Sequence, residues 1–190
     1  MKTISVLGIC GSLRKKSANR ALLEYAITNL PDGVEMAIAD ISDIPFYNPD
    51  VSAIPPSVTA FYQALAKADA LMLSGPEYNY SISPALKNAL DWASVSVDKT
   101  LVLQKPTALL GAGGSLGTAR AQYHLRQVAV YLQLDVLHRP EIFCNAFQGT
   151  FDDQNCLIDN RIQKQISEQL VSLKAKVVLR RQIEQLGSST

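Results

Sequence analysis

Residues 4–20, ISVLGICGSLRKKSANR, pass from a short apolar run into a loop of small, hydroxylated and basic residues, and that transition decides the fold. Ile4, Val6, Leu7 and Ile9 are interrupted only by Ser5 and Gly8, the pattern of a strand buried on both faces of a parallel sheet. Gly11 ends the strand. Beyond the loop, Ala21, Leu22, Leu23, Tyr25, Ala26 and Leu30 carry an amphipathic helix to Pro31, with Ser17 or Asn19 as its N-cap. The loop thus joins a strand's carboxyl end to a helix's amino end, where free N–H groups and the helix dipole favour a bound phosphate. Ser12, Ser17 and Asn19 add side-chain donors, and Arg14 adds a charged fork. Neither GxxxxGK[ST] nor GxGxxG occurs in this stretch, which removes the P-loop and the Rossmann dinucleotide turn. An ordinary polar strand–helix loop has the same composition.

At 190 residues the chain suits one domain, taken as residues 1–186 with a polar tail at 187–190. A net charge of +1 gives no general electrostatic case for nucleic acid or membrane as partner. No apolar run approaches a membrane span, and the first strand begins at once, so a cytoplasmic protein without a signal peptide is expected. Cys10, Cys144 and Cys156 are too few and too irregular for a disulfide framework or a zinc site, and two histidines, His124 and His138, give a metal centre little support.

The same alternation continues downstream. Val34 to Ile41 reads as a second strand, and the prolines at 45, 49, 55 and 56 forbid regular structure before a helix running to Ala68. Asp69 to Ser74 is a third strand, ending in GPEYNYSISP, and Pro84 opens a helix carrying Leu86, Ala89, Leu90 and Trp92. Pro106 to Leu110 is a fourth strand, followed by the loop GAGGSLGT and a helix from Ala119 to Leu132. Val136, Leu137, Ile142 and Phe143 supply a fifth strand, broken or bent at Pro140. Asp159 caps a last helix with the stripe Ile162, Ile166, Leu170, Leu173 and Val177. Five strands alternating with five helices give a doubly wound α/β domain with helices on both faces of a parallel sheet. Ligands of such sheets lie beyond the strands' carboxyl ends, where the winding reverses. The order 2-1-3-4-5 brings loops 11–19, 75–83 and 111–118 together, and FMN is a known ligand at that order's reversal point.

The aromatics and amides of PEYNYS suit a flavin ring: backbone amides of Glu77 to Asn79 and the Asn79 side chain for its polar edge, Tyr78 as ring neighbour. The alternative is that Tyr78 and Tyr80 pack on Trp92. Gly111, Gly113, Gly114 and Gly117 permit close backbone approach to a flat ligand. Glu77 lacks a partner carboxylate and reads as structural or solvated, His124 as a surface or interface residue, and Cys10 as packed rather than reactive.

GSLRKKSANR, PEYNYSISPALKNALDWAS and the glycine loop running into ARAQYHLRQ together resemble the NADPH-dependent FMN reductase family, with its quinone, chromate and azo reductases. The resemblance implies a flavodoxin-like five-stranded fold. It places FMN phosphate on Ser12, Arg14, Ser17 and Asn19, and the flavin along Pro76, Glu77, Tyr78, Asn79 and Tyr80. Gly111, Ala112, Gly113 and Gly114 would close over the other side through backbone N–H alone, where many relatives carry a hydroxyl. It further implies NADPH or NADH as cosubstrate and a ping-pong passage of electrons to quinones, azo compounds, free flavin or metal oxyanions such as chromate. No side chain acts as acid or nucleophile, because the cofactor supplies the redox chemistry. Homodimers or homotetramers are implied, with Arg120, Tyr123 and Glu141 as the joining residues. Two other readings remain open: a flavodoxin-type electron carrier, disfavoured by the near-neutral charge, and a phosphate-sugar or nucleotide binder, for which the tyrosine loop has no use.

Overall fold

The computed structural model describes residues 2–187. Its elements, in chain order, begin β1 (Ile4–Cys10), α1 (Ala18–Thr28), β2 (Val34–Ala39), α2 (Pro56–Lys67) and β3 (Ala70–Ser74). A hairpin of β4 (Glu77–Tyr78) and β5 (Ser81–Ile82) precedes α3 (Pro84–Ser94), then β6 (Pro106–Gly113) and α4 (Ala119–Leu132). Two short strands, β7 (Asp135–Val136) and β8 (Ile142–Asn145), and the long α5 (Asn160–Gly187) complete the chain. β1 pairs in parallel with β2 on one side and β3 on the other, and β3 pairs in parallel with β6. The winding reverses between β1 and β3, as expected of a flavodoxin-like sheet.

Both faces of the sheet are covered, which is why its strands lack polar alternation. Val6, Met72 and Leu110 look towards α1 and α5, meeting Leu22, Leu23, Ile166 and Leu170. Leu7, Ile9, Leu71 and Leu73 look the other way and meet Phe61, Leu65, Leu90 and Trp92 of α2 and α3 and Leu125 of α4. Asp159 Oδ1 accepts from the N–H groups of Arg161 (2.8 Å) and Ile162 (3.1 Å), so it caps α5 as expected. No helix among the described residues is long and apolar enough to cross a membrane.

The fifth strand is where structure and expectation part. It is split in two: β7 pairs with Pro106 and Thr107, β8 with Leu110 to Gly113, so the main sheet has six strands, not five. Counted as one broken strand at Pro140, β7 and β8 preserve the order 2-1-3-4-5. Gln169 of α5 fills the break: its Nε2 donates to the carbonyls of Leu109 and Pro140, each at 2.8 Å. A central strand cannot leave such carbonyls dry and unpaired. β6 also continues through Gly113, so Gly111, Ala112 and Gly113 belong to a strand rather than a loop. The helix α5 extends through Gly187, the first residue of the expected tail, and residues 188–190 lie outside the described ones.

Candidate functional site

Three strand tips, those of β1, β3 and β6, meet at one edge of the sheet. At the first, Ser17 is the N-cap of α1, accepting from Arg20 N–H at 3.2 Å, which settles the choice between Ser17 and Asn19. Gly11 N–H is held by the Ser74 carbonyl at 2.7 Å. Between these two anchors, and among the described residues, no backbone N–H from Ser12 through Asn19 reaches an acceptor within the chain. These eight consecutive amide donors, those of Ser12, Ser17 and Asn19 in buried residues, lead into a helix amino end, where free N–H groups and the dipole favour an anion. Arg14 in the same loop is exposed and has no hydrogen bond or ion pair among the described residues.

Asn19 does something different from its neighbours. Its Nδ2 donates to the Ala112 carbonyl and its Oδ1 accepts from the Ala112 N–H, both at 2.9 Å, while Ser74 Oγ donates to the Asn19 carbonyl at 2.9 Å. At 3% exposure it is a cross-link between α1, β3 and β6. Its side chain is thus engaged by the frame beneath the amide array. Cys10 lies under the same loop, its Sγ 3.5 Å from the Ser12 carbonyl, and burial pushes its thiol pKa up, which favours a packed, protonated thiol. Burial likewise pushes Cys144 up to about 12.

The second tip carries the hairpin β4–β5. Asn79 (φ 48°) and Tyr80 (φ 69°) occupy its turn in the left-handed region, as a two-residue hairpin of this hand requires. The tyrosine loop is therefore a tight hairpin, a tongue beyond the strand tip. Glu77 fixes it to α4: Oε2 accepts from the N–H groups of Arg120 (3.0 Å) and Ala121 (3.2 Å), and Oε1 pairs with the Arg120 guanidinium. Glu77 thereby caps α4, which Thr118 does not, and so has the partner that the sequence did not show. The Arg120 guanidinium lies 3.5 Å from the centroid of the Tyr80 ring, and Ser81 Oγ meets His124 Nδ1 at 2.9 Å. Pro76 is buried beneath the tongue, whereas Tyr78 and Tyr80 present their rings outward.

Those rings do not pack on Trp92. The ring neighbour of Trp92 is Tyr47, edge-on at 5.2 Å, and its Nε1 donates to the Pro45 carbonyl at 2.8 Å. One turn earlier, Asn88 Oδ1 accepts from Tyr47 N–H (2.8 Å) and Nδ2 donates to the Pro45 carbonyl (2.9 Å). Asn88 and Trp92 of LKNALDW thus strap residues 44–47 of the proline-rich segment to α3. The sequence carried a signal for this, an amide and an indole at i and i+4 on a buried helix face, but not its partner.

At the third tip, Gly111 and Ala112 are buried in β6. A Cβ on Gly111 would collide with the Thr118 side chain and come within 2.6 Å of the Gly75 carbonyl, so this glycine serves contact between strand tips. The Ala112 N–H is spent on Asn19. Gly113 and Gly114 are the accessible positions, and nothing lies within 4 Å of where a Gly114 Cβ would sit. The edge therefore offers a loop of unpaired amides, an aromatic tongue and the open Gly114, which fit a phosphate monoester bearing a flat ring. No group of three or more His, Cys, Asp or Glu side chains among the described residues is arranged to hold a metal.

Comparison with known proteins agrees with this geometry. The family model described as NADPH-dependent FMN reductase matches residues 4–148. An NAD(P)H-dependent FMN reductase of Pseudomonas aeruginosa is 48% identical over 174 residues, covering 90% of this chain and 94% of that protein. An NAD(P)H:quinone oxidoreductase of Solanum tuberosum is 43% identical over 180 residues, covering 90% of this chain and 92% of that one. Among solved structures, the flavoenzyme NAD(P)H:(acceptor) oxidoreductase FerB of Paracoccus denitrificans superposes with a TM-score of 0.82 at 26% identity, covering 92% of this chain and 97% of that chain. The match begins at β1 and ends just past β8, enclosing all three strand tips. The chain is an enzyme of the NADPH-dependent FMN reductase family, with FMN as cofactor and NAD(P)H as cosubstrate.

Proposed function

We propose that residues 1–186 act as one FMN-binding domain that oxidises NAD(P)H and reduces quinones, azo compounds, free flavin or metal oxyanions such as chromate, the two substrates using one site in turn. The observation that carries this reading is the run of unpaired amide donors from Ser12 to Asn19 at the amino end of α1. Those donors, with the Ser12 hydroxyl and Arg14, hold the phosphate; the Ser17 hydroxyl also caps α1. Asn19 keeps the array in register with β3 and β6. The tongue, from Pro76 to Tyr80, and the rim at Gly113 and Gly114 flank the ring, with Gly111 and Ala112 as the floor beneath. When bound, FMN supplies the hydride-accepting and electron-donating chemistry. The chain orients it, shields one face with the tongue and leaves the other open to substrates.

Assembly as a homodimer or homotetramer in the cytoplasm belongs to the same proposal. Arg120, Tyr123 and Glu141 are its joining residues; within one chain Arg120 pairs with Glu77, Glu141 pairs with Arg126 (3.8 Å) and Arg139 (3.3 Å), and Tyr123 is exposed.

The test is an anaerobic titration. The purified protein is yellow, bleaches on NADPH and recolours with a quinone, and double-reciprocal plots at several quinone concentrations are parallel. Protein that neither retains FMN nor consumes NADPH refutes the reading. Protein that holds FMN but stays oxidised under NADPH is an electron carrier instead.

A further inference from the structure

We infer that the hairpin of residues 150–158 clamps the loop between β1 and α1, and that Asn155 at its turn is a positioning residue that readies this loop for the FMN phosphate. This rests on the reductase reading above and adds to it a residue beyond the stretch matched by the family model, which ends at residue 148.

The loop needs an anchor because its own amides hold nothing. Among the described residues the N–H groups of Ser12 to Asn19 find no acceptor within the chain, so the run is fixed chiefly at its ends. At the first end Gly11 N–H donates to the Ser74 carbonyl (2.7 Å), and Cys10 Sγ lies 3.5 Å from the Ser12 carbonyl. At the other end stands Ser17, whose carbonyl accepts twice: from Ala21 N–H (2.9 Å) in the first turn of α1, and from Asn155 Nδ2 (3.2 Å). The second bond joins residues 138 apart in sequence. Ordering a backbone costs conformational entropy, and order already present before a ligand arrives does not subtract from its affinity.

The hairpin is held together without the Asn155 side chain. Ile158 N–H donates to the Thr150 carbonyl (2.9 Å), Phe151 bridges Leu157, and Asp152 N–H donates to the Cys156 carbonyl (3.0 Å). Asp152 Oδ1 accepts from the N–H groups of Gln154 (3.0 Å) and Cys156 (2.7 Å), which closes the turn, and Asn155 takes the left-handed conformation there (φ 66°). Thr150 Oγ1 ties the base to the Asn145 carbonyl at the end of β8 (2.6 Å), and Gln163 Nε2 of α5 donates to the Leu157 carbonyl (2.8 Å). Leu157 is buried in the core cluster that contains Leu22 of α1, and Phe151 and Ala18 pack against that cluster. Among the described residues the Asn155 side chain makes one hydrogen bond, the one to Ser17. Its amide therefore links a hairpin fixed at turn and base to the N-cap of α1, where the unpaired amides converge.

The experiment titrates FMN-free protein with FMN and with riboflavin, which lacks the phosphate, and follows the quenching of flavin fluorescence. It compares the wild type, Asn155→Gly and the control Gln154→Ala, whose exposed side chain makes no hydrogen bond among the described residues. Glycine keeps the left-handed turn and removes the amide. Asn155→Asp, read at high salt to screen its charge, exchanges the donor for an acceptor and serves if the glycine variant does not fold. The expected result is FMN binding about three- to tenfold weaker in the Asn155 variants, the size of one hydrogen bond, with riboflavin binding within about twofold of the wild type and Gln154→Ala unchanged for both. FMN affinity within about twofold of the wild type overturns the inference, because the hairpin would then only pack. So does an equal loss for FMN and riboflavin, which would put the effect on the ring or the whole fold rather than on the phosphate loop. A wild type that binds neither flavin, or that holds FMN without oxidising NAD(P)H, fails the reductase reading itself, a separate outcome.

Discussion

Asn19→Ala separates two roles that lie side by side at the amide array. The side chain makes two hydrogen bonds of 2.9 Å with the backbone of Ala112 and is 3% exposed, so removing it strands one buried N–H and one buried carbonyl. Each unsatisfied buried group costs about 1–3 kcal/mol, and with partial relaxation the sum is about 3 kcal/mol. For a domain of this size that is about 6–12 °C in Tm. The assay is urea unfolding of FMN-free protein, followed by FMN titration of the folded variant. A cross-link predicts the full loss in the FMN-free protein, with FMN affinity weakened only as far as the loop loses its register. A loss below about 1 kcal/mol combined with a hundredfold weaker FMN complex would sink the argument, because it would make Asn19 a phosphate ligand and the Ala112 contacts incidental.

Gly111→Ala is expected to destabilise by about 1–3 kcal/mol, as its methyl group would sit 2.6 Å from the Gly75 carbonyl; calorimetry on the FMN-free protein reads this directly. Gln169→Leu withdraws the donor shared by the Leu109 and Pro140 carbonyls and should cost about 2–4 kcal/mol in urea unfolding while leaving FMN affinity intact, since the break lies below the strand tips. Lys105, buried just before β6 with Nζ donating to the Leu65 carbonyl (2.6 Å), has its pKa lowered by desolvation to about 8. The unfolded chain, with an ordinary lysine pKa near 10.4, then binds more protons between pH 8 and 10, so this group makes stability rise across that window. Measured from pH 7 to 10, Lys105→Met should flatten that rise; an unchanged slope would show that the amine titrates normally.

The parallel sheet, the winding reversal and the meeting of three loop-bearing strand tips at one edge were legible because they follow from short-range patterns: apolar runs of strand length, helix caps, and loops of unusual chemistry between them. What was hidden depended on groups distant in sequence. Nothing near Asn19 says that its amide meets Ala112, and nothing near Gln169 says that a strand 60 residues away needs its donor. GAGG reads as a loop because four small residues suit one, yet β8 extends the ladder to Gly113. The tongue was missed for a related reason: hairpin turns of its type usually announce themselves with glycine, and here Asn79 and Tyr80 take the left-handed conformation instead.

The split fifth strand also governs how molecules behave when crowded. Sheet borders are natural templates for recruiting further chains, and a long, flat, unpaired border is an aggregation hazard. Here that border is cut into segments of two and four residues, with a proline between them and a helix side chain covering the gap. A foreign strand finds no uninterrupted row of partners along it, so protein at high concentration is protected on that flank from growing into fibres.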